Sequence, residues 1–111
     1  MRPIELALKY MASFYGETPL ASMIPLLADD LIFKGPFFEF DSAKDYLASL
    51  QADPPQEAKY QILDIYEKKN SVCLIYHFSK PGVETTMVQI FEIKKGKIAR
   101  IKLIFDTAAF G

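Results

Sequence analysis

The hydrophobic period changes part-way along this chain, and that change limits its fold more than any other feature. In the N-terminal part, apolar side chains recur at helical steps: Ile4, Leu8, Met11 and Tyr15, then Leu20, Met23, Ile24 and Leu27. From Tyr60 onward they alternate, as side chains do on a half-buried strand. The helical spacing predicts a first helix over 3–15, ended by Gly16. Thr18-Pro19 reads as the cap and first position of a second helix. Pro25 should kink or shorten that helix, and Asp29-Asp30 closes it. Leu31-Ile32-Phe33 forms a short strand broken by Gly35-Pro36. Ser42, with Asp45 three residues on, caps a third helix running to about Leu50. Strands follow at Tyr60–Glu67, Val72–Ser79, Glu84–Ile93 and Ile98–Phe105, with Lys80-Pro81-Gly82 suited to a type II turn. Helices first and strands after predict an α+β fold, and 111 residues fit a single domain over 1–111.

Half of the residues are hydrophobic and 14% are aromatic, enough for a core with material left for a pocket or an interface. Net charge is −1, which leaves no electrostatic footprint for nucleic acid. Lys94, Lys95 and Lys97 surround a glycine and read as a solvated turn. No apolar run approaches a membrane span, and the N-terminus lacks the apolar stretch of a secretory signal. With Cys73 as the single cysteine, no intrachain disulfide is possible, and a cytoplasmic location is expected. One histidine and one cysteine are too few strong ligands for a metal site. There is no glycine-rich phosphate loop and no nucleophile elbow, so no cofactor is expected.

Two segments carry a wider resemblance. They are Leu26-Leu27-Ala28-Asp29-Asp30-Leu31-Ile32-Phe33 and Phe91-Glu92-Ile93-Lys94-Lys95-Gly96-Lys97-Ile98, with Asp106 closing the last strand. In that order and spacing they resemble the nuclear transport factor 2-like superfamily, in particular its SnoaL-like branch, over nearly the whole chain. The resemblance implies a cone-shaped curved antiparallel sheet wrapped around N-terminal helices (a cystatin-like arrangement), with a pocket inside. It also implies that Cys73, Ile75, His77 and Ser79 face the pocket, as do Ala99, Ile101, Leu103 and Phe105, with Met87, Gln89 and Phe91 inside on the strand between. The fold hosts enzymes, binding modules and transport factors, so it does not give a function. Ketosteroid isomerases of the superfamily use an aspartate before a proline, a tyrosine and a protonated aspartate; the matching positions here are Gly35, Met11 and Met87. The catalytic aspartates and arginine of limonene epoxide hydrolase fall at Ser79, Leu103 and His77, and its helper residues at Phe33 and Gly35.

His77 is left as the candidate acid–base group, since its ordinary pKa lies near physiological pH. Ser79 and Gln89 are its possible partners, and no acidic residue on the inner face of the first helix completes a pair. Phe33, Ser79, Gln89, Ile101, Leu103, Phe105 and Tyr15 are the candidate ligand-binding residues. Asp106 suits an acid less well than a cap for the chain end. Two readings follow. One is a binder of a small apolar metabolite, or a cofactorless isomerase, cyclase or dehydratase acting through His77. The other is a non-catalytic ligand-binding or dimerisation module. With the faces so assigned, Leu74, Tyr76, Phe78, Ile90 and Ile104 fall on the outer sheet face and call for a homodimer. Neither nucleic acid nor membrane is expected as a partner.

Overall fold

A computed structural model describes the whole chain, Met1–Gly111. The first helix, α1, spans Pro3–Phe14 and begins with proline at its first position, where no backbone donor is lost. Tyr15 caps it, and Gly16 takes a positive φ of 81° that favours glycine. The second helical segment is a 3-10 helix, Leu20–Leu26, with Pro25 inside it. The sequence pattern predicts helix as far as Asp29-Asp30, but the chain turns extended at Leu27. Strand β1 therefore covers Leu27–Lys34 and includes both aspartates. A proline one residue from the end shortens the helix, and sheet pairing then captures the residues after it.

A two-residue strand β2, Glu39–Phe40, folds back on β1. Ser42 caps α2, Ala43–Ala52, by accepting a hydrogen bond from the Asp45 amide at 3.1 Å. Four longer strands follow: β3 Lys59–Lys68, β4 Ser71–Lys80, β5 Val83–Lys94 and β6 Lys97–Ile104. A short 3-10 turn, Thr107–Phe110, ends the chain, capped by the Asp106 carboxylate accepting from the Ala108 amide at 3.0 Å. The strands form one curved, open sheet in the order β2-β1-β6-β5-β4-β3. β1 and β6 run parallel, and every other pair is antiparallel. No helix is long and apolar enough to cross a membrane.

Helix α1 packs against β4 and β6, and α2 against β1 and β2. These contacts define the inner face of the sheet. On β4 the fully or nearly fully buried residues are Val72, Leu74, Tyr76 and Phe78. They stand opposite Phe91, Gln89, Met87 and Thr85 of β5 in a register with no break. Cross-strand partners share a face, so Val72, Leu74 and Tyr76 join Phe91, Gln89 and Met87 inside. Cys73, Ile75, His77 and Ser79 point outward, the reverse of the expected assignment.

Strand β6 follows the expected parity only in part. Ile101 is fully buried opposite Phe91, as expected. Ile98, expected outside, is also fully buried. The pairing steps from Glu92↔Arg100 to Ile93↔Ile98, leaving Ala99 as an extra residue. A bulge of this kind reverses the side-chain alternation beyond it. A second irregularity lies in β3 between Ile62 and Asp64.

The face assignment can be checked on β4 alone. Leu74→Ala is expected to cost about 2–5 kcal/mol of stability, since it opens a cavity in a closed core. His77→Ala should stay within about 0.5 kcal/mol. Denaturant unfolding of the two variants measures this, and the opposite ranking would reverse the faces.

Candidate functional site

The end of α1 and the inner face of the sheet do not close completely. Between them lies a cavity of about 120 Å³. Tyr10, Phe14 and Tyr15 reach it from α1, and Phe33 from β1. Tyr76 and Phe78 come from β4, Met87 and Gln89 from β5, and Leu103 from β6. Helical spacing places Tyr10 and Phe14 on one face, and strand alternation selects every second residue of β4 and β5. Phe14, Tyr15 and Leu103 are half-buried, whereas Tyr10, Phe33, Tyr76, Phe78, Met87 and Gln89 are buried. The half-buried residues mark where the cavity meets solvent.

The polar atoms around the cavity are hydroxyls and one amide. The Tyr76 hydroxyl donates to Gln89 Oε1 at 2.8 Å. The Tyr15 hydroxyl approaches the Tyr76 oxygen at 3.5 Å. Deeper in, the Tyr10 and Tyr46 hydroxyls share a hydrogen bond. No buried side-chain nitrogen or oxygen lacks a partner. Burial raises the pKa of Tyr10, Tyr15 and Tyr46 well above the usual phenol range. It pushes Tyr76 up to about 12, against the hydrogen bond from Tyr15. Each phenol is therefore neutral at physiological pH, able to donate a proton into a hydrogen bond but not to act as a phenolate base.

Of the candidate residues read from the sequence, Phe33, Gln89, Leu103 and Tyr15 line this cavity. Ile101 is sealed in the core beside it. Phe105 lies past the end of β6, where its ring packs on Phe37 and Phe110 at 5.3 and 5.0 Å between centroids. His77 lies outside, with a side chain 39% exposed and its Nε2 3.3 Å from Glu84 Oε1. Ser79 borders a wider, open hollow of about 690 Å³ at the β4–β5 turn, among Glu57, Lys59, Lys80 and Glu84. That hollow is larger, but it is a solvated surface depression with charged walls. The cavity under α1 is the better candidate because its apolar lining shields much of a ligand from water. Phe14, Tyr76 and Phe78 are the lining residues that sequence reasoning placed elsewhere or passed over. The signal for two of them was present in the tight β4–β5 turn, which places Tyr76 across from Met87.

Residues 7–101 match the family model described as a SnoaL-like domain. The chain belongs to the SnoaL-like domain family. A search of curated proteins finds no match for this SnoaL-like domain. Among solved structures it is similar to an NTF2-like protein of unknown function from Cytophaga hutchinsonii, with TM-score 0.85 and 21% identity over 99% of this chain and 95% of that one. It is also similar to a proposed ketosteroid isomerase from Kribbella flavida, with TM-score 0.82 and 19% identity over 94% and 77% of the two chains. An LEH-like epoxide hydrolase from M. tuberculosis superposes with TM-score 0.81 and 16% identity over 96% and 84%. At these identities the likeness is one of fold.

The position before Pro36 is informative in this SnoaL-like domain. A Cβ on Gly35 would stand 3.2 Å from the Phe33 ring and 3.6 Å from Leu103 Cβ. A side chain at residue 35 would fit only if the Phe33 ring gave way by a few tenths of an ångström. No His, Asp, Glu, Lys or Arg lines the cavity. The chemistry on offer is apolar contact and hydrogen bonding by neutral groups.

Alkaline titration tests the buried phenols. A phenol whose pKa rises on folding stays protonated in the native state while the unfolded chain ionises. Its stability contribution is intact below about pH 10 and is lost as pH rises from there to about 12 for Tyr76. The expected loss is about 1.4 kcal/mol per pH unit for each such tyrosine across its window. Unfolding curves at pH 8, 10 and 11 measure it, and phenolate absorbance follows the ionisation. Simultaneous ionisation of all six tyrosines near pH 10 would contradict the buried network.

Proposed function

We propose that this SnoaL-like domain binds a small, uncharged, apolar molecule in the cavity between α1 and the sheet. The observation that carries this reading is the lining itself: six aromatic rings, Met87, Leu103 and Gln89 surround a partly closed space in which every polar group is neutral. Pockets of this kind gain affinity by excluding water and use a few polar groups to orient the guest. The reading favours binding over acid–base turnover. Isomerisation or dehydration needs a group that accepts a proton near neutral pH. His77 stands on the other side of the sheet and the cavity phenols hold their protons. Native mass spectrometry after incubation with an apolar metabolite extract should show bound small molecules. Leu103→Trp, which fills the cavity from its half-buried edge, should remove them while leaving the protein folded. Retention of the same bound species in folded Leu103→Trp would place binding elsewhere.

A second role is favoured by the outer sheet face. Leu74, Tyr76 and Phe78 do not contribute to that face, since they are buried inside. Tyr66, Cys73, Ile75, Val88, Ile90 and Ile104 do, with Tyr66 and Ile104 exposed at 58% and 44%. Around them stand an ion pair, Arg100–Glu92 at 3.2 Å, and a polar contact, His77 Nε2 to Glu84 Oε1 at 3.3 Å. An apolar centre with a charged rim is the anatomy of a protein interface. We propose a two-fold homodimer through this face, burying at least ~1,000 Å² in total. Sedimentation should find a dimer at micromolar concentration, and Ile90→Glu should yield folded monomer. A wild-type monomer, or a dimer that survives Ile90→Glu, would exclude this face.

A further inference from the structure

We infer that the cavity selects a neutral, single-ring molecule of about six to nine heavy atoms bearing one hydrogen-bond acceptor, which the Tyr15 hydroxyl receives. The inference rests on the ligand-binding reading above and narrows it in size, charge and polarity.

Size comes first. An engineered dry cavity of ~150 Å³ lined by aliphatic and aromatic groups accepts benzene. The present cavity, at about 120 Å³, is somewhat smaller, so a single ring fills it. A short substituent can extend only toward the half-buried edge formed by Phe14, Tyr15 and Leu103. Fused-ring molecules require the lining to move, and the lining on the far side is closed core: Tyr76 and Tyr10 are each 1% exposed and Met87 is 4%.

Charge is excluded by the lining. A carboxylate or ammonium in this space would lose its hydration and find no opposite charge. Polarity is set by which hydroxyl has a proton to spare. Tyr76 commits its proton to Gln89 Oε1 at 2.8 Å, a good O–H···O distance. Tyr10 and Tyr46 share one hydrogen bond deep in the core, where their residues are 1% and 3% exposed. Tyr15 donates to Tyr76 only at 3.5 Å, well beyond the usual length of a hydroxyl bond. Burial keeps that phenol protonated. An acceptor on the guest at ordinary hydrogen-bond distance would therefore capture the Tyr15 proton, breaking only a weak contact. Of the three cavity tyrosines, Tyr15 is also the one at the half-buried edge, where a guest enters, whereas Tyr10 and Tyr76 are each 1% exposed.

The test uses four probes on the intact protein: acetophenone; α-methylstyrene, which has the same shape with a methylene in place of the carbonyl oxygen; benzoate; and 2-acetylnaphthalene. Methyl NMR shifts of Met87 and Leu103 report entry to the cavity. Acetophenone is expected to bind about three- to tenfold more tightly than α-methylstyrene, the worth of one neutral hydrogen bond. Tyr15→Phe should erase that difference without weakening α-methylstyrene. Benzoate and 2-acetylnaphthalene should leave Met87 unshifted. Equal affinity for the matched pair, a ratio unchanged in Tyr15→Phe, or entry of the fused-ring probe would each overturn the inference while leaving a ligand site in place. If none of the four probes shifts Met87, the ligand-binding reading falls with it. The wild-type ratio needs no variant, so it decides the question of polarity even if Tyr15→Phe folds poorly.

Discussion

The ladder between β4 and β5 organises the molecule. It runs from Ser71↔Glu92 to Lys80↔Val83 without a break. Because no bulge interrupts it, side chains from the two strands alternate in step along its whole length. One face becomes a largely apolar wall of Val72, Leu74, Tyr76, Met87 and Phe91, with the Gln89 amide set into it, and α1 packs against that wall. The neighbouring pairs on either side, β3–β4 and β5–β6, each carry an irregularity that increases twist and bends the sheet. A straight centre with bent flanks makes the hollow, and the width that α1 fails to fill becomes the cavity.

The α+β architecture was legible because it depends on period and order, which survive errors of detail. Gly16, Ser42 and the Pro81-Gly82 turn mark their boundaries through backbone chemistry that acts locally. The second helix was less legible. Leu27 continues the helical spacing after Pro25, yet its backbone belongs to a strand paired with β6. That pairing is non-local and leaves no trace in a short window. The candidate site was misread on β4 for a different reason. A two-residue turn at Pro81-Gly82 sets Lys80 opposite Val83, and counting back sets Tyr76 opposite Met87. Placing Met87 and Gln89 inside therefore already required Tyr76 inside and His77 outside. The bulge at Ala99 had no such signal: Ile98 looks like an outward residue until the paired register is known.

The polar groups of the interior show how a tyrosine-rich core differs from a catalytic one. Each phenol has bulk that packs like phenylalanine and a hydroxyl that must find a partner when buried. Tyr10, Tyr46, Tyr76 and Gln89 satisfy that need among themselves. Their pKa values move away from neutrality, whereas groups that exchange protons in turnover are tuned toward it. At the position before Pro36, glycine leaves the Phe33 ring 3.2 Å from where a Cβ would stand. The interior is built to stay uncharged.

Both edges of the sheet are poor templates for adding strands. On one side β2 offers only two residues, Glu39 and Phe40. On the other, β3 is interrupted between Ile62 and Asp64 and carries Lys59, Asp64, Glu67 and Lys68 along its length. Short, bulged and charged edges discourage the hydrogen-bonded growth that leads from an open sheet to a fibre. An open sheet that never closes into a barrel thus offers an incoming strand few regular pairing positions at β2 and β3.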